Sequence, residues 1–549
     1  MKKHIFFFVI LSVTTLSCSF FDTSEDTMMD RAMLESDWSK LKNVGYTAYT
    51  YLSGGLYAID SNIDAPKSDE AVSTGDSPNV QHFNEGTWNQ YNNPDNAWAS
   101  CYKGIRAANY FLEYSVDYKN MLATGRDTLS DGGYSYRRSV QDIEWLRAEN
   151  RVLRAWFYFE LSKRYGGVPI VKEVSEPDAY NLPRATFDEV TDYAVAEIDA
   201  VSQDLQSDWR NFDSERDGRF TEGAALALKA RILLYAASSR NNPGNDVSKW
   251  EKVAKAAHDV MALERYSLAS DYRALFLESE SLLSPEVIMS YRYGAVNLPE
   301  RKNYPVGTPG GNSGVTPSQN MVDAYGYKSV QDKDNPYLGR DPRLEYSIAV
   351  NGSAWNGRKL EIWSGGSDDP SEKNASRTGY YLKKFMPENI DLAKDEKRMH
   401  NWIIFRYAEI LLSYAEAMNE AYGPDSDPLG YGMTARQAVN EVRHRKGVEM
   451  PDVEASDQAS MRKRIMNERM VELAFEGHRF WDLIRTEKAG DVLGSPVYGI
   501  RISKAGVKFT YEQVEVEKRQ FDASKMYYYP IPYEEISKSH GVLVQNAGW

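Results

Sequence analysis

Two clusters in this chain carry residue types that could do chemistry. Residues 86–98 read GTWNQYNNPDNAW, which sets Trp88 and Tyr91 among Gly, Asn and Pro, residues that favour turns and open backbone. Rings placed there stay near water unless something covers them, and a bound ligand is one such cover. The second cluster is NERMVELAFEGHRFWDLIR, where Glu468, Glu472 and Glu476 recur every fourth residue beside Arg469, Arg479 and Arg485. On a helix that spacing puts the carboxylates on one face, either as an acid/base site or as an ion-paired surface that locks neighbouring helices. The interleaved arginines favour the ion-paired face. Seven histidines, at 4, 82, 258, 400, 444, 478 and 540, include no HExxH and no pair at ligand spacing. A metal hydrolase is therefore disfavoured, and no metal or cofactor is expected. GTPGGNSG, from Gly307 to Gly314, lacks the phosphate-binding patterns GxxxxGK[ST] and GxGxxG and reads as a flexible surface loop. No GxSxG elbow occurs. Paired carboxylates for glycoside hydrolysis stay open, because their separation is spatial.

The totals bound the partners. A composition of 42% hydrophobic and 26% charged residues over 549 positions is that of a folded, water-exposed protein. A net charge of −14 supplies no basic field for a phosphate backbone, so nucleic acid is not expected as a partner. The N-terminus, MKKHIFFFVILSVTTLSC, is an export signal with two lysines, an apolar run and small polar residues before Cys18. Its apolar run falls short of the about 20 residues a membrane-spanning helix needs. TLSC resembles a bacterial lipoprotein cleavage box, with Thr15 in place of the usual Leu. On that reading residues 1–17 are the signal, Cys18 is lipidated, and residues 18–37 form an acidic tether. With Cys18 so used, only Cys101 remains, no internal disulfide is possible, and Cys101 reads as a buried, inert thiol.

The elements that must position any site are helices. WLRAENRVLRAWFYFELSKRYGG places Leu146, Leu153, Trp156, Phe157 and Leu161 near helical spacing and stops at Gly166 and Gly167. FRYAEILLSYAEAMNEAYGP repeats the design, ending at Gly423 and Pro424, and EGAALALKARILLYAASS with WEKVAKAAHDVMAL forms a further pair joined through SRNNPGND. Trp98, Tyr102, Ile105 and Asn109 also fall at helical steps, facing inward. Alanines at recurrent face positions let helices approach closely, as in tetratricopeptide-like pairs, although no strict period of about 34 residues is kept. Residues 301–380 contain 11 Gly and 6 Pro, too many for unbroken helices, with Tyr304, Tyr325, Tyr327, Trp355 and Trp363 among them. YSIAVNGSAW could supply a strand and turn there. The expectation is a mainly α, tetratricopeptide-like helical-repeat scaffold with a large loop-rich elaboration and minor β structure. It divides into an N-terminal helical part, 38–292, a loop-rich part, 293–395, and a C-terminal helical part, 396–549.

Several blocks together resemble the SusD/RagB family of outer-membrane nutrient-binding lipoproteins. They are DNAWASCYKGIRAANYFLE, AENRVLRAWFYFELSKRYGGVPIV, LPRATFDEVTDYAVAEID, EGAALALKARILLYAASS, WIIFRYAEILLSYAEAMNEA, NERMVELAFEGHRFWDLIR and the closing YYYPIPYEEISKSHGVLVQNAGW. The resemblance spans residues 38–549. It implies a tetratricopeptide-like scaffold without catalysis, lipid-anchored at the outer membrane on the cell surface. It also implies capture of oligosaccharides for a SusC-like TonB-dependent transporter. Members bind glycans by stacking sugar rings on aromatics and hydrogen-bonding the hydroxyls. On that implication Trp88, Trp355 and Trp363, in Gly/Asn-rich surroundings, are the expected stacking platforms, with Tyr91 and Tyr304 in reserve and Asn89, Asp76 and Arg301 as polar contacts. Trp38, Trp98, Trp156, Trp402 and Trp481 lie in helical patterns and are assigned to the scaffold. A surface glycoside hydrolase on a helical scaffold and a helical-repeat module for peptide or protein remain alternatives, and peptides or protein-linked glycans remain possible ligands.

Overall fold

The computed structural model describes residues 38–129, 132–174, 182–277, 284–332 and 334–549. The signal at 1–17, Cys18 and the tether at 18–37 lie outside the described residues. The body is a stack of helices in which each element packs on the next. Trp98–Tyr114 lies against Gly132–Tyr165, which lies against Phe187–Asp199, followed by Glu222–Ala237 and Val247–Met261. Small residues set this spacing: Ala224, Ala225, Ala227 and Ala230 are fully buried in one helix, and Ala254 and Ala257 in its partner. Local chemistry fixes the helix ends. Thr186 and Thr434 each form a reciprocal capping box, with Glu189 and Gln437, and Tyr407–Tyr422 stops at Gly423, whose φ is +86°. Among the described residues no helix is long and apolar enough to cross a membrane.

Val247–Met261 packs directly on Tyr407–Tyr422, so the chain between them is an excursion inserted between neighbours in the stack. Its base is pinched by an antiparallel ribbon, Val287–Val296 against Arg398–Arg406, in which Val287 faces Arg406 and Tyr293 faces His400. Trp402 stands in this ribbon, not in a helix. The helical pattern assigned to it starts only at Tyr407, because the β-branched pair Ile403–Ile404 and the flanking rings favour a pleated strand. YSIAVNGSAW does supply short strands, Ile348–Ala349 and Ala354–Trp355.

The C-terminal helices are held together by buried charge. Gln458–Glu472 carries Glu468 and Glu472, and the helix ends there, so Glu476 lies in the following turn. Fully buried Glu472 accepts hydrogen bonds from Arg343 (2.9 Å), Arg406 (2.7 Å) and Arg445 (2.6 Å), three cations from three separate segments. Glu476 pairs with Arg406 and Lys384, both at 2.7 Å, and Arg469 pairs with Asp482 at 2.9 Å. Burial by itself raises the Glu476 pKa, but Arg406 and Lys384 outweigh it and hold the carboxyl at about 2. These acids are spent on locking helices to the excursion, as the ion-paired reading of their spacing implies. Cys101 is buried, and burial pushes its thiol up to about 12, which leaves it unreactive. Asn109 is equally inward, donating to the carbonyls of Val171 (3.0 Å) and Glu173 (3.1 Å).

Candidate functional site

Where the excursion returns to the N-terminal body, Ala71–Ser73 pairs antiparallel with Val315–Pro317, setting Ser73 opposite Val315. The chain ends beyond this pair border an open trough of about 220 Å³, lined by Asp60, Asn62, Ser73 to Ser77, Lys302, Asn312, Gly314 and Asn374 with a few apolar neighbours. Its walls are turns held in uncommon backbone conformations. Asp60 and Ser61 both have positive φ (+48° and +59°) between the bridged residues Ile59 and Asn62, and Ser313 and Asn374 are left-handed as well (+52° and +64°). Such conformations cost free energy and persist where the surroundings fix them, a pattern that gathers at ligand sites.

The fixing contacts are specific. The Asp60 carboxylate accepts from the Asn79 side chain (2.7 Å) and the Val80 amide (2.9 Å), tying the turn to the helix Pro78–Asn84. Asn62 and Asn303 exchange amide hydrogen bonds at 2.9 and 3.0 Å. Asn312 donates to the Arg301 carbonyl (2.9 Å), and Asn374 donates to Asn312 (3.2 Å). The short helix Leu298–Asn303 carries the buried Glu300, whose Oε1 lies 3.1 Å from His400 Nε2. What remains free faces the opening. Asp76 is exposed and has no hydrogen-bond or ionic partner among the described residues. Lys302 Nζ reaches the Asp60 carbonyl at 3.3 Å, leaving donors to spare, and the Ser73 and Ser77 hydroxyls share one hydrogen bond at 2.7 Å. The trough thus offers donors and acceptors with little net charge, a match for hydroxyl groups.

Of the eight expected contacts only Asp76 lines this trough. Arg301 is adjacent, but its guanidinium turns away to Asn297 (3.1 Å), the Leu392 carbonyl (2.9 Å) and Asp395 (3.0 Å), and its neighbour Lys302 faces the opening instead. Two expected platforms, Trp88 and Trp355, and the reserve ring Tyr304 are corrected to core. Trp88 is 2% exposed, stacked on Phe83 with centroids 5.3 Å apart and an interplanar angle of 1°, and covered by Tyr529 and Trp549. Trp355 and Tyr304, 1% and 0% exposed, pack edge to face at 5.2 Å, and the Tyr304 hydroxyl donates to the Pro387 carbonyl. The physical reason is common to all three: Gly- and Asn-rich loops have few apolar groups, so their large rings are what anchors them to the body. Trp363 is half-buried on the ribbon Val497–Ala505/Lys508–Glu517, with Phe509 at 5.1 Å and the Lys504 ammonium 4.1 Å from its centroid. Asn89 and Tyr91 are exposed but do not line the trough. Asn312 and Gly314 belong to the segment read as a flexible loop, whereas the structure pins it between Lys302 and Thr74 through backbone hydrogen bonds at Gly314. Asn62, Lys302 and Asn374 carried no signal in the sequence, since ordinary polar residues become a site only when pairing brings distant segments together. Among the described residues no group of three or more His, Cys, Asp or Glu could hold a metal ion.

Comparison with known proteins places the fold. Residues 285–549 match the model of the SusD family, and residues 19–234 match a family described as starch-binding and associating with the outer membrane. The SusD-like protein P38 of Formosa agariphila is 28% identical over 387 residues, covering 65% of this chain and 69% of its own length. The crystal structure of a SusD-like protein from Bacteroides fragilis superposes with a TM-score of 0.77 at 26% identity, covering 95% of this chain and 99% of that one. A SusD-like carbohydrate-binding protein, also from B. fragilis, shares the fold with a TM-score of 0.75 at 24% identity, covering 93% and 99%.

Proposed function

This chain belongs to the SusD/RagB family, and on that premise we propose that it captures oligosaccharides at the cell surface and delivers them to a SusC-like TonB-dependent outer-membrane transporter. The observation that carries this reading is the trough, where Asp76, Lys302, Asn312 and Asn374 face solvent with hydrogen-bonding capacity not consumed by the fold. A sugar hydroxyl both donates and accepts, so a mixed amide, carboxylate and ammonium lining suits it better than a field of one sign. The lining holds two carboxylates, and Asp60 is committed to Asn79 and Val80, so one free acid remains where glycoside hydrolysis uses a pair. The protein acts as a binder without catalysis. Lipid on Cys18 and the acidic tether hold the body at the outer membrane, each buried acyl CH₂ contributing about 0.8 kcal/mol.

A few hydrogen bonds of about 0.5–1.5 kcal/mol each give weak binding. The expected dissociation constant is roughly 10 µM to 1 mM, about −7 to −4 kcal/mol. Loose capture fits delivery, because a tightly held ligand would not leave. Calorimetry of the full chain against neutral and acidic oligosaccharides, with a reducing-end assay alongside, tests this. Binding in that range without new reducing ends is expected. No binding across the panel, or release of reducing ends, would overturn it.

A further inference from the structure

Tyr91 is 71% exposed and Tyr533 45%, and their ring centroids lie 4.9 Å apart with the planes tilted by 43°. Of the exposed aromatic side chains among the described residues, these are the two in mutual ring contact. Neither lines the trough. We propose that they form a second saccharide contact, a ledge that takes the apolar C–H faces of a neutral polysaccharide chain. The proposal extends the glycan reading above to a separate surface.

Hydrogen bonds hold the ledge, which stands on a turn and on the start of the short helix Tyr533–Lys538. Asn89 and Asn92 exchange backbone hydrogen bonds (3.0 and 3.2 Å), and the Asn89 side-chain oxygen accepts from the Tyr91 amide (2.9 Å). Tyr533 donates its amide to the Gln90 carbonyl at 3.1 Å, and Gln545 bridges the Gln90 side chain (3.1 Å) and the Ile531 carbonyl (2.9 Å). Trp88, buried a few residues upstream, anchors the same turn to the core. A ligand would therefore meet rings whose ordering the fold has already provided.

The surroundings select the class of ligand. Asn89, Gln90 and Asn92 flank Tyr91 with side-chain amides, groups that pair with hydroxyls, while exposed Glu534 disfavours acidic sugars. Two rings are also far less apolar surface than the roughly 800 Å² per partner that a stable protein interface buries. A tilted pair instead offers successive faces to consecutive sugar rings. A chain long enough to reach both trough and ledge would be held by both, and a short oligosaccharide by the trough alone.

Affinity electrophoresis of the full chain in gels containing starch or laminarin, paired with calorimetry of a trisaccharide from the same polymer, tests this. Tyr91→Ala/Tyr533→Ala should weaken polysaccharide retardation by about five- to tenfold, leave trisaccharide affinity and the thermal melt unchanged, and be matched by near wild-type retardation in Tyr91→Phe/Tyr533→Phe. Retardation kept by the alanine pair but lost by Asp76→Ala/Lys302→Ala overturns the ledge and leaves the trough standing. The reverse pattern supports the ledge and removes the trough. A wild-type chain that no neutral polysaccharide retards overturns the ledge, and the oligosaccharide panel then decides the trough separately.

Discussion

The C-terminal end of the helix Gln458–Glu472 and the trough beside Ser73–Ser77 are both crowded with polar side chains, yet they differ in what those side chains have left to give. In the first, Glu472 is fully buried and its oxygens are taken by three guanidinium groups. In the second, Asp76 is exposed and without a partner among the described residues. A dense charge pattern therefore marks scaffold when every group is saturated inside the protein, and marks a site when bonding capacity is left facing solvent.

The largest effect that could break this contrast is at Glu472. Glu472→Ala leaves Arg343, Arg406 and Arg445 buried with less countercharge and should cost about 3–5 kcal/mol or abolish folding. A thermal melt within about 1 kcal/mol of wild type would mean that the network is not what locks the helices. Trp88→Ala and Trp355→Ala should each cost about 3–5 kcal/mol in a denaturant titration, with binding retained by the folded fraction. Loss of binding at unchanged stability would return them to the site.

The pH dependence sharpens the same contrast. Glu476 is held at about 2 in the folded protein against an ordinary 4.5, so between those values the unfolded chain binds more protons. Its stabilising contribution is present above pH 4.5 and is lost as pH falls toward 2, on the order of 3 kcal/mol. Glu476→Gln should be less stable at pH 7 and show a flatter acid limb in urea titrations. Smallest in stability is the trough: Asp76→Ala and Lys302→Ala should each move the melt by less than about 0.5 kcal/mol, while weakening oligosaccharide binding by about three- to tenfold.

Much of the scaffold was legible because helices advertise themselves locally. Leu146, Leu153, Phe157 and Leu161 recur on one face and are buried, and the Gly/Pro-rich stretch at 301–380 does fall within the excursion between two packed helices. The site was less legible because its parts come from four separated segments joined by the Ser73–Val315 pairing. Asp76, expected from the sequence, lines the trough, and so does Lys302, one residue from the chosen Arg301. The tryptophans misled for a related reason. Flanking Gly and Asn report the backbone around Trp88, whereas its burial depends on Phe83, Tyr529 and Trp549, the last two far along the chain.

The most direct measurement is a calorimetric titration of one neutral oligosaccharide into the wild-type chain and into Asp76→Ala/Lys302→Ala, with matched melting curves. The account predicts micromolar-to-millimolar binding by the wild type, at least about tenfold weaker binding by the double variant, and superimposable melts. Equal affinity in the two proteins would contradict it, because the groups the fold leaves unspent would then not be the ones that hold the sugar.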